Sequence, residues 1–181
     1  REEIVLINKK INVIKDIKKV LLEKIVLDED KVDNNRIVFL ETDSGNVYTM
    51  DDLDNNSVPI DYYEGFLELI KSIEDNTFKN FKYIDSNNNE LAGISEVKGF
   101  KRRVIFDRVG MDIYVILGAF IKKSDNDKRY RNFLSNRVNA YSKNKEYILK
   151  MIQDEEYIEK HKKILENVYK LLGSNKKKKG V

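Results

Sequence analysis

The chain has 181 residues, 41% of them hydrophobic and 36% charged, with a net charge of +3 and no cysteine. That is enough apolar material for one domain with an extension, and it excludes disulfides and thiolate chemistry, as expected for a protein of a reducing cytoplasm. No run of 18 apolar residues occurs, so no membrane span and no membrane partner are expected.

The first elements are short. Ile4–Ile7 reads as a strand, and Ile14, Ile17, Val20, Leu21 and Ile25 fall at helical spacing, which predicts a helix over about 11–25. Arg36–Glu41 and Asn46–Met50 flank Thr42-Asp43-Ser44-Gly45 and predict a β-hairpin. Asp61 and Glu64 have capping-box spacing just after Pro59, opening a helix whose apolar face is Tyr63, Phe66, Leu67, Ile70 and Ile73 and which ends near Asp75-Asn76.

The next segment turns to strands. Leu91–Val97 and Phe100–Asp107 read as strands around a basic turn, and Met111–Lys122 is nearly continuous in apolar residues, as in a central strand covered on both faces. Asp125 or Asp127 can cap the following helix, striped by Tyr130, Phe133, Leu134, Val138 and Tyr141. A last helical region covers about 144–172, with Gly173 as its C-cap, and Lys176–Lys179 form a cationic tail. The expected fold is α+β: a twisted antiparallel sheet with helices packed on one face. An acidic N-terminal extension (1–55, strand, helix and hairpin) precedes the core (56–142), and a helical region (143–181) follows it.

Charge is unevenly placed. Ten Lys or Arg and four Asp lie between Lys98 and Arg131, a local excess of six positive charges, whereas residues 27–64 carry eleven acidic and two basic side chains. A basic cluster built on strands is a shaped site for phosphate. Alternation along the strand puts Lys101, Arg103 and Ile105 on one face and Arg102, Val104 and Phe106 on the other.

Arg102-Arg103-Val104-Ile105-Phe106, then a turn, then Ala119-Phe120-Ile121-Lys122-Lys123-Ser124 and a capped basic helix, resemble the core of the RelE/ParE toxin superfamily, in particular its HigB-like branch. The resemblance covers about 60–142; the tyrosine usual before the strand arginine is Arg102 here. It implies a small ribonuclease fold, RelE-like, that binds mRNA, often within the ribosome, and is neutralised by a cognate antitoxin. The expected activity is that of an mRNA endoribonuclease working without metal or cofactor. The alternatives are a non-catalytic protein on the same fold, such as a ParE-like gyrase inhibitor, or a phage or mobile-element regulator.

Cleavage of RNA without a metal needs a base for the 2′-hydroxyl, an acid for the leaving 5′-oxygen and cations for the phosphorane. The resemblance assigns Arg103 to phosphate and Lys123 to transition-state charge; Lys101, on the same strand face as Arg103, is expected as base or second phosphate ligand, and Tyr130, about one position from the family's frequent helix tyrosine, as a base-stacking or proton-transfer group. Lys98, Arg102, Lys122, Arg129 and Arg131 complete the expected RNA-binding set. His161 stands alone on a charged stretch and reads as solvated, and no cluster has metal-ligand spacing.

Overall fold

A computed structural model describes residues 1–29, 34–55, 58–79, 81–83 and 94–174. The start of the strand expected from Leu91 and the Lys176–Lys179 tail lie outside the described residues. The chain divides into two compact units, residues 1–34 and 35–181. No helix among the described residues is long and apolar enough to cross a membrane.

The described residues of the first unit form one helix, α1 (Glu2–Glu29). The apolar run at Ile4–Ile7 is therefore helical, not a strand. Ile4, Ile7, Ile11 and Ile14 recur at helical spacing, so the run is the start of one continuous stripe, and Glu2 and Glu3 complement the dipole of the first turn.

The second unit is α+β. It contains β1 (Arg36–Phe39), α2 (Tyr48–Leu53), a short 3-10 turn (Ile60–Tyr62), α3 (Tyr63–Glu74), β2 (Phe81–Tyr83), β3 (Ile94–Gly99), β4 (Arg102–Arg108), β5 (Ile113–Ile121), α4 (Lys128–Met151) and α5 (Glu155–Ser174). It thus takes in β1 and α2, from the segment expected as an extension, together with the C-terminal helix. The five strands lie in the order β1-β5-β4-β3-β2. The meander from β2 to β5 is antiparallel, but β1 pairs parallel with β5, Arg36 opposite Ile113 and Phe39 opposite Ile116. The sheet is mixed rather than purely antiparallel because α2 and α3 carry the chain from β1 to the far edge, and the meander then returns β5 beside β1.

Helices cover both faces rather than one. On one face Ile37, Phe39, Val104, Phe106 and Ile116 pack with Phe66, Ile70 and Ile73 of α3 and Leu165 and Val168 of α5. On the other, Val38, Ile105, Val115 and Leu117 pack with Val138, Tyr141 and Ile148 of α4. Residues i and i+1 of β1 and β4 alternate between these cores, as the strand period requires. β5 is buried on both faces, as its unbroken apolar run predicts.

Several local readings change. The Thr42–Gly45 turn forms, with Gly45 at φ +86° and a Glu41–Val47 bridge, but the chain then folds as α2 instead of a returning strand. Tyr62, not Asp61, is the N-cap of α3, and no side chain caps it; the chain winds into the helix through the 3-10 turn after Pro59. Asn76, at φ +58°, ends that helix, a conformation asparagine tolerates better than most residues. α4 runs on to Met151, and the helix of the last region starts only after Asp154, whose carboxylate accepts the Glu156 N–H at 2.9 Å. Gly173 lies inside α5.

His161 is fully buried, correcting its reading as a solvated residue. β1 is an edge strand, and α5 lies along its open side. There the His161 Nδ1 accepts the Phe39 main-chain N–H at 3.0 Å, which gives an outward-facing edge donor a partner.

Candidate functional site

β1 ends opposite Ile116, so β5 continues to Ile121 with no strand on that side among the described residues. The Asp52 carboxylate of α2 fills part of the gap, accepting the Ala119 N–H at 3.0 Å. A register shift between Ile105 and Phe106 makes Leu117 the extra residue of β5. Next to it, Gly118 is obligatory for packing: a Cβ there would overlap the Arg137 guanidinium and the Asp52 carboxylate.

Beside this edge lies a cleft of about 470 Å³. Its apolar wall includes Tyr62, Phe66, Phe120 and Phe133, and Lys101, Lys123 and Arg129 supply its cations. Three segments place those cations. Lys101 sits in the β3–β4 turn, where its carbonyl accepts the Lys122 N–H at 2.8 Å. Lys123 begins the loop after β5, and Arg129 lies in the first turn of α4. Asp127 organises the last two: it accepts the main-chain N–H groups of Lys123 and Arg129, both at 3.0 Å, and caps α4. The Lys123 bond is the main reason its carboxyl titrates below the usual range. Arg129 also lies over the Phe120 ring, 5.8 Å from its centroid. The arrangement offers cations on an anchored main chain next to aromatic rings, a combination suited to holding a phosphate and a flat base together.

Arg103 and Tyr130, grouped with Lys101 and Lys123 by the sequence reading, do not line this cleft. The Tyr130 hydroxyl is buried and donates to Glu96 of β3. Burial first, and then the hydrogen bond to Glu96 and its charge, push the phenol well above its ordinary pKa. Its proton is committed to that carboxylate. Arg103 stands 3.8 Å from Glu96 and donates from Nη1 to the carbonyls of Phe100 at 2.7 Å and Arg102 at 2.9 Å. The three residues join two strands to α4 on the face away from α3. Tyr141 repeats the device one strand end away, donating to the buried Asp107 at 2.6 Å.

Arg102 faces the opposite core. Its Nε donates to the Tyr62 carbonyl at 3.0 Å, its guanidinium lies 4.8 Å from the Tyr62 ring centroid, and it packs where any side chain at Gly65 would intrude. It clamps β4 to the start of α3. Lys122 covers the Tyr130 ring at 5.3 Å. Lys98 is exposed opposite Arg103 in the β3–β4 ladder, and Arg131 is exposed on α4.

Glu96 and the aromatic wall of the cleft are not among the site residues expected from the sequence. Glu96 had a signal: it shares a face with Ile94 and lies opposite Ile105, so alternation sets a carboxylate among core positions, where it needs a partner. Tyr130→Phe is expected to cost about 1–3 kcal/mol in urea unfolding, from the lost bond to a buried carboxylate. A cost below about 0.5 kcal/mol would show that bond to be incidental to the fold.

A scan against models of known protein families finds no match to this chain, and a search of curated proteins finds none either.

Proposed function

We propose that the cleft binds a single strand of RNA and that the protein acts there on mRNA as an endoribonuclease of the RelE/ParE type. The observation that carries this reading is the convergence of Lys101, Lys123 and Arg129, from three separate segments, on one aromatic-walled cleft. The antiparallel meander flanked by α3 and α4, in the order the family resemblance implies, supports it. In this reading Arg129 holds the non-bridging phosphoryl oxygens. Lys101, acting as the neutral amine after giving up its own proton to solvent, takes the 2′-hydroxyl proton as the 2′-oxygen closes on phosphorus and the bond to the 5′-oxygen breaks, and Lys123, as the ammonium, gives its proton to that departing oxygen. An antitoxin would neutralise the protein by covering the same cleft.

One observation favours a second reading, a binding protein on the same fold that cuts nothing: Arg103 and Tyr130 are held by Glu96 and cannot supplement the two amines. Incubating the protein with single-stranded RNA, alone and with translating ribosomes, separates the two. Cleavage should leave a 2′,3′-cyclic phosphate. The combined Lys101→Ala, Lys123→Ala and Arg129→Ala substitutions should weaken RNA binding by about 100-fold and lower its salt slope by about 2, at roughly 0.7 per phosphate contact. Binding without cleavage under both conditions establishes the second reading. Native affinity in the triple variant would remove the cleft from either one.

A further inference from the structure

The β3–β4 turn carries a residue that neither the fold nor the cleft uses. Phe100 is 76% exposed, and its backbone is in the left-handed region at φ +58°. Glycine takes that conformation without strain, and a polar residue would sit in water without cost, so a phenylalanine here is unfavourable on both counts. The turn is nevertheless held fast. Arg103 Nη1 donates to the Phe100 carbonyl at 2.7 Å, Arg102 Nη1 donates to the Gly99 carbonyl at 3.4 Å, and the Lys122 N–H closes on the Lys101 carbonyl at 2.8 Å. Two arginines that serve the interior thus also fix the backbone on which an aromatic ring stands in solvent.

The surroundings of the ring are cationic. Lys101 Nζ lies 5.5 Å from its centroid, and Lys98 and Lys101 are both exposed on the same hairpin. From Val97 to Phe106 the sequence has four basic residues and no acidic one. Lys101 also lines the cleft, so the ring and the candidate phosphate site share a residue.

From this geometry we infer that Phe100 is a stacking platform for an unpaired base of the RNA strand whose backbone crosses Lys101. The inference rests on the RNA-binding reading above and deepens it: the ligand must be single-stranded next to the cleft, because a paired base has no free face to offer. Stacking uses the π-face that every base has, so the platform adds affinity with little sequence preference, and it adds no phosphate contact. A protein partner could also bury an exposed phenylalanine, but the density of cations around it favours a polyanion.

The chain has no tryptophan, so Phe100→Trp introduces its only indole emitter. That variant should bind a single-stranded oligoribonucleotide as tightly as the native protein, with its emission quenched as the strand is added. Phe100→Ala and Phe100→Leu should bind about 10–100-fold more weakly with an unchanged salt slope, whereas Lys101→Ala should lower the slope. Phe100→Gly relieves the backbone and should melt no lower than the native protein while losing the same affinity, which separates lost stacking from lost folding. If the native protein binds RNA and Phe100→Ala binds it equally well, the platform is overturned. If the native protein binds no RNA at all, the functional reading fails and the platform fails with it.

Discussion

Asp52→Ala is expected to destabilise the sheet-bearing unit by about 3–5 kcal/mol, among the largest single-residue effects this fold can show. Arg137 of α4 donates Nη1 to Asp52 Oδ2 at 2.7 Å and to the Leu117 carbonyl at 3.1 Å, and its Nη2 reaches Asp52 Oδ1. The guanidinium lies between the rings of Tyr48 and Phe133, 4.4 and 4.5 Å from their centroids. Both charged side chains are only 13% exposed. Burial raises the Asp52 pKa even against the pull of Arg137, so the pair is held out of water at a cost that only mutual contact offsets. Removing the carboxylate strands a buried cation and frees the Ala119 N–H. Pairing Asp52→Leu with Arg137→Leu should recover much of the loss, because two apolar side chains carry no desolvation debt. Urea unfolding of the single and double variants measures this; a cost for Asp52→Ala below about 1 kcal/mol would show the pair to be incidental. The cleft should suffer too, since Asp52 and Phe133 are part of its wall.

The second large effect is in acid. His161 is held neutral, its pKa lowered from 6.5 to about 4, chiefly by burial, with Lys160 adding to the shift and Glu41 opposing it. Its Nδ1 already accepts a main-chain hydrogen bond, and a proton there would break that bond. The unfolded imidazole takes up a proton as pH falls through about 6.5, while the folded one resists until about 4. Stability from this group is therefore whole above pH 6.5 and falls as pH drops across that window, by up to about 3 kcal/mol. His161→Gln keeps an acceptor for Phe39 and removes the titration, so its stability should vary less between pH 7 and 4.5. Parallel pH profiles for the two proteins would exclude His161 as the source.

The sequence was legible where one local rule acted alone. Alternation and a tight turn are enough to specify the β4–β5 hairpin, and Asp127 has the chemistry of an N-cap and serves as one. It misled where a local signal was genuine but tertiary context overrode its sequel. Thr42–Gly45 is a true turn, yet Val47 and Tyr48, good strand formers, lead into α2, because Thr49 and Leu53 are buried there and Asp52 must reach β5. The cations show the same limit. Lys101, Lys123 and Arg129 are separated by turn and cap geometry that spacing cannot reveal, and Arg103 and Tyr130 turn inward to a carboxylate that a count of net charge treats as mere subtraction. Both misreadings concern partners distant in the chain, and a periodic pattern says nothing of partners.

The parallel pairing of β1 with β5 also sets a schedule. β1 leaves the ribosome well before its partner, which begins at Ile113; the residue opposite Arg36 is 77 positions downstream. Until then β1 is an apolar strand with two unpaired edges, while β3, β4 and β5 can close on their nearest neighbours. The meander should accordingly form first and β1 dock last, giving a slow, non-local final step in folding. A nascent chain stalled before Ile113 would have no means of hiding Ile37, Val38 and Phe39 within its own sheet, and this interval of synthesis is the one in which the protein depends most on a chaperone.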